Sequence, residues 1–299
     1  MTTDELRARL GRVGIWTPPP ERLGVDPVTI AAAIEQAGFA SVWVGGGNPD
    51  RAAFARLRAQ LAGTERLIVA TGIANVWAWE PDELRTVSED LATDFPGRFV
   101  LGLGVSHAPM VEALGHAYQR PLRKMEKFLD ELDHPAHRGG ERRLPPIVLA
   151  ALGQKMLELA RDQTLGSHPY FTTPEHTRFA RQVLGTGPLL VPELALTLAS
   201  DPAKGAATAR GYARTYLGLP NYTRSLERFG FGPADFQGDG SDRLISQVIP
   251  NGVVPLRERI KSHLDAGADH VVLQPLDSGG FTPASLARLA DTVKEFAQR

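Results

Sequence analysis

Two histidines stand where a strand gives way to a loop. Arg98-Phe99-Val100-Leu101-Gly102-Leu103-Gly104-Val105 runs into Ser106-His107-Ala108-Pro109, and Thr164 to Ser167 runs into His168-Pro169-Tyr170. An imidazole with a pKa of about 6.5 donates or accepts a proton near neutrality, so either ring suits general acid–base work. The bland readings are a loop histidine bonded to a carbonyl for His107 and a turn brace before Pro169 for His168. A third stretch offers different chemistry. Ile147 to Leu152 is an unbroken apolar run, Gly153 interrupts it, and Gln154-Lys155-Met156-Leu157-Glu158-Leu159-Ala160 follows with helix formers. Free backbone N–H groups and the positive end of a helix dipole at such a turn suit a phosphate or another anion. Lys155 adds a movable positive charge, although it opposes the dipole, and an anionic partner would offset that placement. An ordinary strand–helix connection would look the same.

The composition narrows the classes. The chain has 299 residues, 42% hydrophobic, with a formal net charge of -1, which points to a small-molecule substrate and away from nucleic acid or an acidic membrane surface. Cysteine is absent, which excludes disulfides, thiolate metal sites and cysteine nucleophiles and fits a reducing cytoplasm. The N-terminal MTTDELRARLGR is charged and has neither a signal-peptide core nor a membrane span.

Short β-type runs alternate with helical patterns along the whole chain. The strands read as Arg12–Thr17, Ser41–Val44, Leu67–Ala74, Arg98–Val105, Ile147–Leu152, Thr164–Ser167, Pro188–Leu196 and His270–Pro275. Asp26-Pro27 and Thr173-Pro174-Glu175 are helix starts of the cap-plus-proline type. Residues 218–251 are aromatic, glycine-rich and irregular until a helix near 242–248, and read as an insertion after the seventh strand. Eight strand–helix units in series predict an α/β fold, a (β/α)8 TIM barrel formed as one domain over 1–299. A doubly wound open sheet is the alternative. It lacks its fingerprint here, since Gly102-Leu103-Gly104 is followed by Val105-Ser106-His107 and not by a third glycine opening a helix.

A barrel gathers its strand ends at one mouth. That mouth would hold Trp16, Trp43, Gly45 to Asn48, Gly72 to Trp79, Ser106, His107, Gly153 to Met156, His168, Tyr170, Glu193 and Gln274. No second carboxylate accompanies Glu193, so a glycosidase pair is not expected, and Glu193 after Pro192 also reads as the acid at a helix start. No metal is expected, because no ligand-spaced His, Asp or Glu grouping gathers there. An aromatic, apolar mouth beside an anion-binding turn suits a flat heterocycle with a phosphate tail. The four tryptophans read equally as core or rim packing.

The series Ser41-Val42-Trp43-Val44, Ala70-Thr71-Gly72-Ile73-Ala74-Asn75, Arg98 to His107, Leu149 to Met156 and His168-Pro169-Tyr170 resembles the luciferase-like monooxygenase superfamily, and within it the actinobacterial branch that uses the deazaflavin coenzyme F420. The resemblance implies a TIM barrel whose post-strand-7 insertion roofs the pocket. It implies a bulge at Gly72-Ile73, often with a non-proline cis bond, behind the deazaflavin ring, and it adds Asn75 to the cofactor contacts. Gly104, Val105 and Ser106 would line the ring edge, and Gly153, Gln154, Lys155 and Met156 would hold the tail phosphate. A homodimer follows from the same likeness. The chain departs from the sugar-phosphate dehydrogenases of that branch, with Gly45-Gly46-Gly47 in place of an acidic-histidine pair and His107 in place of a glutamate. Hydride transfer to or from a small organic substrate, with His107 and His168 as the catalytic candidates, is the expectation. An FMN-dependent monooxygenase and a non-catalytic cofactor-binding barrel are the alternatives.

Overall fold

The structure is a computed structural model that describes residues 1–45, 51–134, 143–277 and 280–297. Its strands are β1 (Val13–Thr17), β2 (Ser41–Val44), β3 (Ile68–Thr71, resumed at Ala74–Asn75), β4 (Phe99–Gly104), β5 (Ile147–Leu149), β6 (Gly166–Ser167), β7 (Leu189–Leu190, resumed at Glu193–Leu196) and β8 (Val271–Pro275). Every pairing between them is parallel, and neighbours follow chain order around the ring. The ring closes through β7. Leu189 and Leu190 pair with Gly166 and Ser167 on β6, while Glu193 to Leu196 pair with Val272 to Pro275 on β8. Helices alternate with the strands, so the predicted (β/α)8 barrel is the observed fold.

Alternation along each strand divides the core into two layers, as a closed parallel sheet covered by helices requires. Val42, Val44, Val69, Leu101, Leu103, Leu149, Leu190, Leu194, Val271 and Leu273 pack outward against the helices. Trp43, Ile68, Ala70, Val100, Val148, Leu189, Val191 and Val272 fill the barrel interior. The interior needs a floor. The N-terminal helix Thr3–Leu10 supplies it, burying Leu6 and Leu10 in the interior cluster, and a Thr2–Glu5 capping box starts that helix. Sequence reading took this segment as merely charged, because two leucines four residues apart make too short a stripe to register as an amphipathic helix.

Above the other end lies a second apolar cluster. The long helix Pro202–Leu217 contributes Ala209, Ala213 and Leu217, and residues 218–251 contribute Tyr222, Leu226, Phe231, Leu244, Ile245, Val248 and Ile249. The segment expected to be irregular is largely helical: Pro220–Glu227 and Pro233–Phe236 precede Asp242–Val248. Prolines at each of the first two helix starts and glycines between them masked the short helical turns. Among the described residues no helix is long and apolar enough to cross a membrane.

Three histidines are enclosed as neutral rings. His270 donates from Nδ1 to the Gly11 carbonyl and accepts at Nε2 from Ser41, and His263 and His176 bond Thr177 and the Leu152 carbonyl. Burial holds His176 and His270 down at about 4 and His263 at about 3. An unfolded chain protonates such rings near the ordinary value of 6.5. Stability from these groups is therefore complete above pH 6.5 and is lost as the pH falls toward 4. Each ring is expected to lower the unfolding free energy by about 1.4 kcal/mol per pH unit across that window. In urea titrations His270→Gln should show a shallower decline than wild type between pH 6.5 and 4; an identical slope contradicts the assignment.

Candidate active site

Two residues make a platform on the β1–β4 side of the barrel mouth, and glycines seat both of them. The Trp16 indole lies so close over β2 and β3 that a Cβ on Gly45 would stand 2.3 Å from its Cζ2 and one on Gly72 3.0 Å from its Nε1. Its Nε1 donates to the Gly72 carbonyl at 3.2 Å. Ile73 lies over Gly104, where a Cβ would stand 2.6 Å from its Cδ1. Trp16, Gly72 and Ile73 keep part of their surface exposed, whereas Gly104 is buried. The β3 ladder breaks at Thr71 and resumes at Ala74, and the Gly72–Ile73 peptide is cis. The bulge thus sits where the resemblance implied.

His107 is the N-cap residue of the short helix Ala108–Ala113, with an extended backbone and no side-chain cap bond. Its ring packs at 5.4 Å from Tyr222, its Nδ1 is enclosed without a partner, and burial holds it below the ordinary imidazole value. Ser106 beside it adopts a φ of 55°, and its carbonyl accepts from the Tyr118 hydroxyl. Val105 and Ser106 are half-buried rim residues. Asn75 is buried and turned to its own backbone, accepting from the Trp77 N–H at 3.1 Å.

His168 lies lower. It is 2% exposed, stacked on Trp43 at 4.5 Å, and donates from Nδ1 to the Val191 carbonyl at 2.8 Å. That bond makes Nδ1 a donor nitrogen. Nε2 stands 3.4 Å from Glu193 Oε2, outside hydrogen-bond geometry, and 3.5 Å from where a Gly72 Cβ would be, so the imidazole lies beneath the platform. Glu193 opens the second half of β7 and starts no helix, which corrects that reading; Pro192 opens the strand break instead.

At the anion turn, Gly153 is exposed, with φ -90° and ψ 154°, and a Cβ there would meet nothing within 4 Å. Its backbone could belong to any residue, and a side chain there would stand in open space, so neither conformation nor packing within the chain requires glycine. The helix Gln154–Gln163 starts there without a side-chain cap. Lys155 is exposed, Gln154 is tied to Glu158 at 2.9 Å, and Met156 packs back onto the outer core. A second helix, Pro174–Leu184, also starts without a cap bond at Thr173, and His176 in its first turn reaches the Leu152 carbonyl next to Gly153. Thr172 and Thr173 hydroxyls are enclosed there without partners. Sequence reading missed both threonines because Thr173 registered only as a cap. Gly46, Gly47 and Asn48 lie outside the described residues. Among the described residues no group of three or more His, Cys, Asp or Glu could hold a metal.

The remaining tryptophans pack: Trp43 fills the interior, Trp79 sits edge-on to Phe54, and Trp77 lies under Lys124. Opposite the platform, Tyr170 on the β6 side and Gln274 on β8 meet Tyr212 and Tyr216 from the roof helix. The i, i+4 spacing of those two tyrosines was legible; their target was not.

Burial pushes the Glu193 carboxyl up, and the nearby His168 imidazole draws it partly back. A carboxyl held above its ordinary range is stable while protonated and costs stability as the pH rises through its raised value. Glu193→Gln keeps the shape without the charge. It is expected to raise the melting temperature by about 2 °C at pH 8 and to leave it unchanged at pH 4; a lower melting temperature at pH 8 contradicts this.

The comparisons with known proteins agree with this fold. A segment of 103 residues is 33% identical to the uncharacterized protein Rv1360 of Mycobacterium tuberculosis, covering 34% of this chain but only 30% of that relative's length. Over 96% of this chain the fold is similar to an F420-dependent secondary alcohol dehydrogenase in complex with an F420-acetone adduct, with TM-score 0.71, 15% identity and 98% of that chain covered. It is equally similar to a coenzyme F420-dependent tetrahydromethanopterin reductase from Methanopyrus kandleri, at TM-score 0.72 and 15% identity over 96% of this chain and 99% of that one. The FMN-bound oxygenating constituent of 3,6-diketocamphane monooxygenase from Pseudomonas putida gives TM-score 0.70 and 13% identity over 97% and 98% of the two chains. The family model for luciferase-like monooxygenases matches residues 25–184, more than half of the sequence, and the chain belongs to that family of oxidoreductases.

Proposed function

We propose that this chain is a coenzyme F420-dependent oxidoreductase that moves a hydride between C5 of the deazaflavin and a small organic substrate. The observation that carries the proposal is the pairing of a glycine-seated apolar platform, Trp16 and Ile73, with two adjacent uncapped helix starts at Gly153 and Thr173. A planar ring with an anionic tail matches that pairing. A bound deazaflavin supplies or takes up two electrons as hydride.

The chain's residues do the rest. Gly72 and Gly104 keep Trp16 and Ile73 low so that the ring has a flat seat, with Val105 and Ser106 at its edge. Gly153, Lys155 and Gln154 hold the tail by backbone N–H groups and charge, and Asn75 and Met156 support the two walls from behind. His107, neutral at pH 7, holds or takes the substrate proton. His168 with Glu193 braces the platform from below and sets the local field. An FMN-dependent monooxygenase is the second reading, favoured by the equal fold likeness to the FMN-bound camphane enzyme.

Fluorescence titration separates the two. F420 is expected to bind at least about tenfold more tightly than FMN, and Lys155→Ala and Gly153→Val to weaken F420 by about threefold to tenfold. Because the Gly153 Cβ would enter open space, that loss reports on the ligand and not on the fold. Equal or tighter FMN binding favours the second reading, and unaltered variants remove the phosphate assignment. With F420-loaded protein and a panel of alcohols and ketones, His107→Asn is expected to slow turnover by about a hundredfold or more without changing F420 affinity. Since burial lowers the His107 value, the base-dependent rate should be flat above pH 7 and fall only below about pH 6.5. Full activity in the variant contradicts the role.

A further inference from the structure

Tyr222 closes the mouth from above. It lies on Pro220–Glu227, the first helix after the roof helix, and is 5% exposed. Its ring meets His107 at 5.4 Å on one side and, edge-on, Tyr216 at 5.1 Å, Phe171 at 5.7 Å and Tyr170 at 6.2 Å on the other. These four ring contacts fix the ring from several directions.

Its hydroxyl is the exception among the phenols around it. The Tyr170 and Tyr212 hydroxyls lie within hydrogen-bonding reach of each other and of Gln274 Oε1, at 3.1 and 2.8 Å from it, and Tyr216 bonds Tyr212 at 3.1 Å, so every one of these phenols has a partner. Among the described residues the Tyr222 hydroxyl makes no hydrogen bond, yet it is not one of the sealed polar atoms, so what remains exposed of this residue includes the hydroxyl. An almost buried phenol beside the candidate acid–base histidine, with a donor facing accessible space, lacks an acceptor that the chain itself does not provide.

We propose that Tyr222 donates a hydrogen bond to a neutral carbonyl or hydroxyl oxygen of the substrate, and that this contact selects ketone- or alcohol-type substrates over hydrocarbons of the same shape. Burial keeps the phenol protonated and hence a donor. Glu193 lies near enough to oppose ionisation of Tyr170, Tyr212, Tyr216 and Tyr222 alike. The inference rests on the mouth being the substrate site, but it does not require F420 to be the cofactor.

The test uses two shape-matched probes, cyclohexanone and methylenecyclohexane, titrated against the full-length protein by saturation-transfer NMR with and without F420. Wild type is expected to prefer the ketone by about fivefold to tenfold. Tyr222→Phe, which keeps the ring packing, is expected to abolish that preference while leaving the melting temperature and the F420 titration unchanged. A wild-type chain with no ketone preference, or a variant that keeps it, overturns the proposal. A Tyr222-dependent preference in protein that binds no F420 keeps this proposal and removes the cofactor reading instead.

Discussion

A closed parallel ladder sends every second side chain of eight strands into one interior, and that constraint governs everything else in the molecule. Closure depends on a single strand reaching two neighbours: β7 pairs with β6 through Leu189 and Leu190, breaks at Val191-Pro192, and pairs with β8 from Glu193 onward. Once the ring is shut, its interior must be filled to crystal-like density or it collapses. Trp43 stacks on His168 and lies tilted against His270 in the middle, and Leu6 and Leu10 plug the floor. At the mouth glycine stands at Gly45, Gly72 and Gly104, where any larger residue would lift Trp16 or Ile73.

The polar groups inside this shell are handled by tautomer and protonation state, not by opposite charge. Carbonyl acceptors at Gly11 and Leu152 fix one ring nitrogen each of His270 and His176, so these rings serve as neutral hydrogen-bonding units. The phenols of Tyr170, Tyr212 and Tyr216 satisfy one another and Gln274. In the proposed function the apolar platform is the part of the site that selects by shape, and the two uncapped helix starts are the part that selects by charge. That division suits a ligand with a flat uncharged head and an anionic tail.

Much of the architecture was legible in the sequence. Apolar runs without alternation marked β2 to β5 and β8, cap-plus-proline signals marked helices at Pro27 and Pro174, and the absence of a third glycine after Gly104 argued against an open dinucleotide-binding sheet. The positions of His107, Ser106 and Gly153 at strand ends were legible for the same reason. The depth of a side chain was not. His168 and Glu193 looked like mouth residues but sit under the platform, because strand periodicity gives the face a residue points to and not its layer along the barrel axis. Gly104, expected at the ring edge, lies buried beneath Ile73, which its lack of a Cβ accommodates. Tyr212, Tyr216 and Tyr222 were invisible as site residues, since their role depends on how the roof helices fold back over the ring, which long-range packing decides.

The glycine-seated platform is the central claim, and the position of a bound ring tests it most directly. A crystal structure of the F420-loaded protein is expected to place the deazaflavin flat against Trp16 and Ile73, with its tail phosphate at the Gly153 and Thr173 helix starts and its free face toward Tyr222. A ring bound elsewhere, or one that enters only after Trp16 swings off Gly45 and Gly72, would contradict it.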